Sequence, residues 1–369
     1  MLRKIRIVIR YLFIILIFIQ TSCHSEKVNQ DSSTQVNLPV TINLSEIINS
    51  PQKNFNLSSI AESIEYIRLE TCKESILDNI LTIVPIDVGY LIVDNTESIF
   101  LFDQDGRFNW RINNKGRGPT EYFELSLPIG IDTAENEIII PDNKELDIYD
   151  FAGNYERKVI LQFKVSGAYV HPSGSYVLWR TSPFENTIAY ITDRKGKILK
   201  QIKNYNQSER LNESGIQKKQ AISQVEIYKD GIFLSNKDTI WYLDGSLKLI
   251  PWFIINSKVK GFDDRYYTFG FDVLNDSTIG IFQFMKKEYY LYNVNTHEVS
   301  VIYDGIKDDI DNFSPVNPWS GNGYYLISAI PPLTMINNKS NISKISSLNN
   351  IVQLIKEDDN PVIRKIKLR

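Results

Sequence analysis

The chain reads as all-β: a six-bladed β-propeller of four-stranded antiparallel blades, with the ring closed by the N- and C-terminal strands. Three observations predict this. Six times a short turn carrying Gly, Asn, Asp or Ser leads straight into an apolar strand: IDVG-YLIVD, TAEN-EIIIPD, PSGS-YVLWR, YKDG-IFLSN, NDST-IGIFQF and GNG-YYLISA. The step between them is roughly 40 to 55 residues, the length of one four-stranded blade. A second turn series is interleaved in the same order: Asp103-Gln104-Asp105-Gly106, Asp150-Phe151-Ala152-Gly153, Asp193-Arg194-Lys195-Gly196, Leu243-Asp244-Gly245 and Asn293-Val294-Asn295-Thr296. Asp opening such a turn and Gly closing it fit a type I turn ending in a left-handed residue, which predicts positive φ at Gly106. Finally, apolar residues alternate with period two, and no long amphipathic helix is visible.

Taken in order, the blades fall at about 79–112, 125–161, 163–203, 221–254, 267–303 and 319 to the C-terminus, with the propeller occupying 61–369. The sixth lacks a regular fourth strand. SIEYIRLE, 63–70, precedes blade one, alternates, and can supply that strand beside 361–368, so that both termini close one blade and remove free edges. Arg364-Lys365-Ile366-Lys367 reads as an edge protected by charge. The stretch 333–350, rich in Asn and Ser, reads as a polar loop, and 347–356 as one short helix.

The first residues carry an address. Arg3, Lys4, Arg6 and Arg10 precede an apolar run over 11–19, and Thr21 and Ser22 lead to Cys23. This order describes a secretory signal peptide, 1–22, too short to span a bilayer. Cysteine after the small pair resembles a lipobox, so Cys23 is expected to be acylated, with 23–60 a polar tether and lead-in. Gln20 departs from the usual Leu, and an ordinary secreted protein cleaved nearby, or an uncleaved anchor, is the alternative. His24, in place of the Asp that signals inner-membrane retention, favours the outer membrane. The expected location is therefore the cell envelope, with the membrane as partner through the lipid.

Losing that leader removes four basic residues and takes the formal net charge from −3 to −7. An acidic surface without a basic stripe argues against nucleic acid. Cys72 is then the one cysteine beside an acylated Cys23, which excludes a disulfide scaffold.

The run YIRLE, followed by IFLFDQDGRFNWRINNKGRGPTEY, resembles the six-bladed β-propeller lipoproteins of Bacteroidetes, relatives of the NHL-type propellers. Phe102, Asp103, Asp105, Gly106 and Phe108 match the F-D-x-D-G-x-F hairpin of that family, and Gly116, Gly118, Pro119, Glu121 and Tyr122 its G-x-G-P-x-E-Y loop. The resemblance implies the fold and the envelope location; it transfers little activity.

Motifs for chemistry are sparse. The glycine-rich stretch 113–122 lacks the GxxxxGK[ST] order and a following helix, so it reads as a blade-to-blade crossover. There Gly116 and Gly118 would permit unusual dihedrals, while Glu121 and Tyr122 brace the neighbouring blade. His24, His171 and His297 show no clustered ligand spacing, and there is no GxSxG elbow, so neither a metal, a cofactor nor a catalytic residue is assigned. Asp308-Asp309-Ile310-Asp311 could bind calcium but lacks the EF-hand order. Topology collects Asp94, Arg117, Glu121, Tyr122, Asp142, Arg180 and Trp319 on the face opposite the tight hairpins, the candidate ligand face. The expected function is non-enzymatic binding of a peptide, glycan or partner protein, or a scaffold role. The alternative is a propeller-type lyase or glycoside hydrolase using Asp94, Glu121 and Asp142, which would need paired carboxylates about 5 to 9.5 Å apart.

Overall fold

The computed structural model describes residues 38–369 apart from 54, 181–185, 204–224, 237–238, 257–268, 284–287, 304, 318–320 and 340–347. Residues 38–369 form one compact unit of six antiparallel sheets in a ring. Blade one is Ile80–Ile86, Gly89–Asp94, Ile99–Phe102 and Phe108–Ile112; blade two is Gly130–Asp132, Glu137–Asp142, Glu145–Asp150 and Tyr155–Ile160. Blade three follows with Gly167–Val170, Tyr176–Trp179, Thr187–Thr192 and Ile198–Lys203. Blade four is Val225–Tyr228, Gly231–Asn236, Thr239–Leu243 and Leu249–Asn256, and blade five is Phe269–Asn275, Thr278–Gln283, Glu288–Asn293 and Val299–Ile302. Among the described residues no helix is long and apolar enough to cross a membrane.

Period two fails in the second strands of the first three blades. Gly89–Asp94, Glu137–Asp142 and Tyr176–Trp179 are buried at every residue, because a neighbouring blade covers each of their faces. In blade two, Ile138, Ile140 and Tyr149 pack on Leu91, Val93 and Leu101 of blade one. The alternate residues Ile139, Leu146 and Ile148 pack on Ala168, Tyr176 and Leu178 of blade three.

Both termini build blade six, as the alternation in 63–70 predicts. Val362–Leu368 lies between Tyr325–Ile330 and Ala61–Arg68, antiparallel to both. The basic C-terminal strand is therefore the middle of its sheet and not an edge. Its lysines face acids across the pairing, Lys365 with Glu65 and Lys367 with Glu62. Arg364, only 2% exposed, donates to the carbonyls of Ser314 and Pro315 at 2.7 and 3.0 Å and sits 3.5 Å from Asp308. The acidic run that could have bound calcium is divided among protein donors. Asp308 Oδ1 accepts from the amides of Ile310 and Asp311, Asp309 from Ser58, and Asp311 from the Tyr66 hydroxyl.

The lead-in does more than tether. Val40–Asn43 adds a parallel fifth strand to blade four, the helix Leu44–Asn49 follows, and Gln52–Lys53 adds a parallel strand to blade five. Ile42, Leu44 and Ile47 drive this placement by burying against Phe253, Ile255, Tyr292 and Val299. The stretch expected as a polar loop also holds a helix, Pro332–Asn337, and the short helix expected over 347–356 is present as Leu348–Leu354. Met335, Leu348 and Val352 cover Ile330 and Val362 of blade six.

The hairpins between third and fourth strands share one device. Oδ1 of Asp103, Asp150, Asp193 and Asp244 each accepts the amides two and four residues on. The left-handed residue is Gly106, Gly153 and Gly196 in blades one to three, at φ of 83°, 83° and 80°. In blade four it is Leu247 rather than Gly245, and in blade five His297, each at φ 59°. These hairpins also latch blade to blade. Trp110 Nε1 donates to Phe151 O, Arg194 pairs with Asp132 at 2.6 Å, and His171 Nε2 meets Asp244 O at 2.9 Å. Ser173 N donates to His171 Nδ1, which leaves the Nε2–H as the donor to Asp244.

Gly106 closes the circle, since its carbonyl accepts from Glu70 N at 2.8 Å and a Cβ built on it would stand 2.3 Å from Arg68 O. Gly106→Val should therefore lose more than the strain of about 1–3 kcal/mol that a left-handed β-branched residue carries. Gly106→Asn should also be costly, since the collision is with the Cβ itself. Gly174→Asn is the control, because its left-handed Cβ meets only the movable Arg194 guanidinium, at 3.3 Å. Denaturation midpoints in which Gly106→Asn matches Gly174→Asn would refute the closure contact.

A candidate binding pocket between blades one and two

The crossover from blade one to blade two is a small hairpin built around one carboxylate. Gly116 N donates to Tyr122 O at 2.9 Å, Tyr122 N to Asn114 O at 3.1 Å and Gly118 N to Glu121 Oε2 at 2.7 Å. The glycines do not serve unusual dihedrals, since neither Gly116 nor Gly118 is among the positive-φ residues. They make room: a Cβ on Gly116 would lie 1.9 Å from Glu121 Oε2. Glu121 and Tyr122 brace the blades as expected, though the bracing by Glu121 runs through its backbone. Lys158 Nζ of blade two donates to Glu121 O at 3.4 Å, and buried Tyr122 donates to Glu97 O within the core shared by both blades. Tyr149 and Tyr155 hydroxyls reach Thr120 O and Pro119 O.

Under this loop lies a cavity of about 540 Å³ lined by Arg117, Pro119, Glu121, Phe123, Asp142, Glu145 and Lys158, with Gly116 and Gly118. Asp142 and Glu145 face each other across the two-residue turn Asn143-Lys144, and Asp147 faces Lys158 on the next strand pair. Asp142 accepts from the amides of Phe123 and Glu124 at 2.6 and 3.2 Å. Glu145 accepts from Lys158 at 2.6 Å. Asp147 has 0% side-chain exposure and neither oxygen accepts a hydrogen bond; Lys158 Nζ stays 3.4 Å from Oδ1, an ion-pair distance only. Burial raises the Asp147 pKa to about 6, with Asp142 and Glu145 adding to the shift and Lys158 opposing it. Burial works against the charge on Lys158, but Glu145 and Asp147 outweigh it and hold the ammonium above the ordinary lysine range. At the rim, Phe123 is 54% exposed with the Arg117 guanidinium 5.1 Å over its ring.

Of the candidate ligand-face residues, Arg117, Glu121 and Asp142 come together here, and Tyr122 lies beneath them. Asp94 does not reach a surface. It is 1% exposed, and its carboxylate caps its own turn by accepting from Asp78 N, Thr96 N and Oγ1, and Ser98 N. Arg180 follows the second strand of blade three and is not part of this lining, and Trp319 lies outside the described residues, as do Cys23 and His24. Phe123, Glu145, Asp147 and Lys158 escaped the sequence reading. The available signal was Asp147 itself, a charged residue between Leu146 and Ile148 in the apolar centre of the strand, LDIY.

Because the native Asp147 carboxyl holds its proton more tightly than the unfolded one, at the ordinary value of 3.8, its neutral form stabilises the fold below about pH 4. That contribution fades as pH rises through about 6. Asp147→Asn keeps the shape and never ionises. With EDTA present, it should flatten stability between pH 4 and 6 and exceed the unmodified protein at pH 7 by up to about 3 kcal/mol. Parallel pH profiles of the two proteins would refute the buried charge.

A Bacteroides fragilis protein named "Putative exported protein" superposes with a TM-score of 0.64 at 16% identity, covering 89% of this chain and 99% of its own. U3-55K follows at a TM-score of 0.42 and 11% identity, over 82% and 98% of the two chains. BamB from Moraxella catarrhalis gives 0.37 and 12%, over 66% and 78%. The first likeness shows the shared propeller fold; no curated protein matches the sequence. The profile of a domain of unknown function, DUF4934, matches residues 39–367, nearly the whole ring together with its lead-in strands, and the chain belongs to that family.

Proposed function

We propose that this protein is an exported, lipid-anchored envelope propeller that binds a hydroxyl-rich ligand, a glycan, without transforming it, in the pocket between blades one and two. The observation that carries this reading is the lining of the cavity of about 540 Å³, where an exposed ring at Phe123 stands beside both carboxylates and cations. A ring face stacks on the apolar face of a sugar, and paired polar groups exchange hydrogen bonds with adjacent hydroxyls, the combination that orients a small ligand in a cleft. The hydrolase alternative draws less support. The three carboxylates named for it each hold backbone amides. Asp147, whose raised pKa would suit an acid catalyst, has no exposed surface with which to touch a substrate. The export reading is supported by the basic, apolar and small-residue order ending at Cys23, and by the name of the Bacteroides fragilis protein.

Phe123→Ala combined with Arg117→Ala should abolish retention on a glycan array, with the melting temperature nearly unchanged, because exposed changes cost within about 0.5 kcal/mol. Retention equal to that of the unmodified protein would remove the pocket from the reading. Cys23→Ala should stop incorporation of labelled palmitate in the native host and release the protein from the membrane fraction; labelling that persists would exclude Cys23 as the anchor.

A further inference from the structure

We infer that a calcium ion binds at the inner wall of the pocket, where Asp142 and Glu145 of the lining converge with the buried Asp147 behind them. The inference rests on the pocket being a binding site, and it names a component the sugar reading does not require. One ligand atom from each of the three carboxylates lies within 4.8 Å of the others. Two oxygens bound to one calcium at about 2.3–2.6 Å can stand up to about 4.6–5.2 Å apart, so carboxylate oxygens gathered within 4.8 Å are compatible with a shared ion. Magnesium, at about 2.0–2.1 Å, allows only about 4.2 Å and demands a regular octahedron.

An acidic cluster alone would not carry this. The independent observation is Asp147, wholly buried on the face toward blade one, with both oxygens lacking any hydrogen-bond donor. A charged group sealed from water without donors is stable only beside a cation. Lys158 provides that only in part. Its ammonium is 2.6 Å from Glu145, 3.4 Å from Asp147 and 3.4 Å from the Glu121 carbonyl, a single charge that reaches two of the three carboxylates. Those contacts outline where a cation sits, and the Glu121 carbonyl offers a further oxygen. The charge that remains, three carboxylates less one ammonium, is what a divalent ion cancels. The lysine stem is long enough to swing toward the open cavity when the ion enters, and the same cavity admits the waters that complete six to eight ligands.

The test is titration of the EDTA-treated, dialysed full-length chain with calcium chloride, followed by isothermal calorimetry and by the melting temperature. The expected result is saturable binding of one ion with a rise in melting temperature, at least tenfold weaker in Asp147→Asn and in Glu145→Gln, and weaker for magnesium. Lys158→Met, which removes the competing ammonium, should bind calcium several-fold more tightly. Two results would overturn the site: no heat and no melting shift at millimolar calcium, or binding unaltered by all three substitutions. The two readings fail separately. Calcium binding without glycan retention supports the ion and sinks the sugar, whereas glycan retention insensitive to calcium and EDTA, with silent calorimetry, does the reverse.

Discussion

Everything in this fold depends on closing the ring through one sheet made from both ends of the chain. The register Val362 to Arg68 through Lys367 to Ser63 joins segments separated by nearly the whole propeller, so the closure cost in chain entropy must be offset by what the sheet buries. Ile363 and Ile67 pack against Tyr90, Ile92 and Phe100 of blade one, while Ile366 and Leu368 pack against Leu291 and Ile302 of blade five. The closing blade is thus the wedge that presses first and fifth together. Its polar groups are bound as tightly as its apolar ones: Asn360 accepts from Leu77 N and donates to Glu70 O and Ser75 O, tying the C-terminal turn to the N-terminal one. The lead-in strands extend the same logic by covering the outer edges of blades four and five before the chain enters blade six.

Once the ring is fixed, its two faces acquire different work. On the hairpin face the Asp-capped turns commit their polar groups to backbone amides and to the next blade, as in Arg194 with Asp132 or Tyr228 with Asp276. Most polar groups of these turns are thereby committed. The opposite face carries the crossovers, whose lengths the blade geometry does not dictate, and there a segment can stand away from the core and leave space beneath it.

How much of this was legible follows from which residues act locally. The turn series was readable because an Asp that accepts two amides and a glycine at positive φ are both short-range requirements, written into four or five residues. Blade four shows the limit of that rule, since Leu247 takes the left-handed position and Gly245 does not. The lead-in belt was not legible, because Val40–Asn43 is a short strand whose only justification is a parallel edge far along the chain. The same holds for Arg364, which reads as a solvent charge within an alternating strand and is instead buried on carbonyls contributed by 314–315. For the pocket, Arg117, Glu121 and Asp142 could be gathered by topology. Lys158 and Glu145 become site residues only through strand register.

Register also explains why the pocket is a place of unresolved energy. A two-residue turn forces Asp142 and Glu145 opposite each other, a like-charge pair that destabilises a sheet unless each partner is compensated. Asp142 is compensated by two loop amides and Glu145 by Lys158, so the crossover loop and the lysine are drawn in by the same repulsion. Asp147, one step along the strand, is left over. Among the described residues it is the side chain with both of its carboxylate oxygens buried and undonated, while the surrounding blades satisfy nearly every other buried polar group. Sequences that specify one fold keep local and global demands in agreement and break that agreement where function requires it. A buried carboxylate facing two others, under a loop shaped by a fourth, is such a break, and it lies at a crossover where a ring face, a guanidinium and an open cavity meet it.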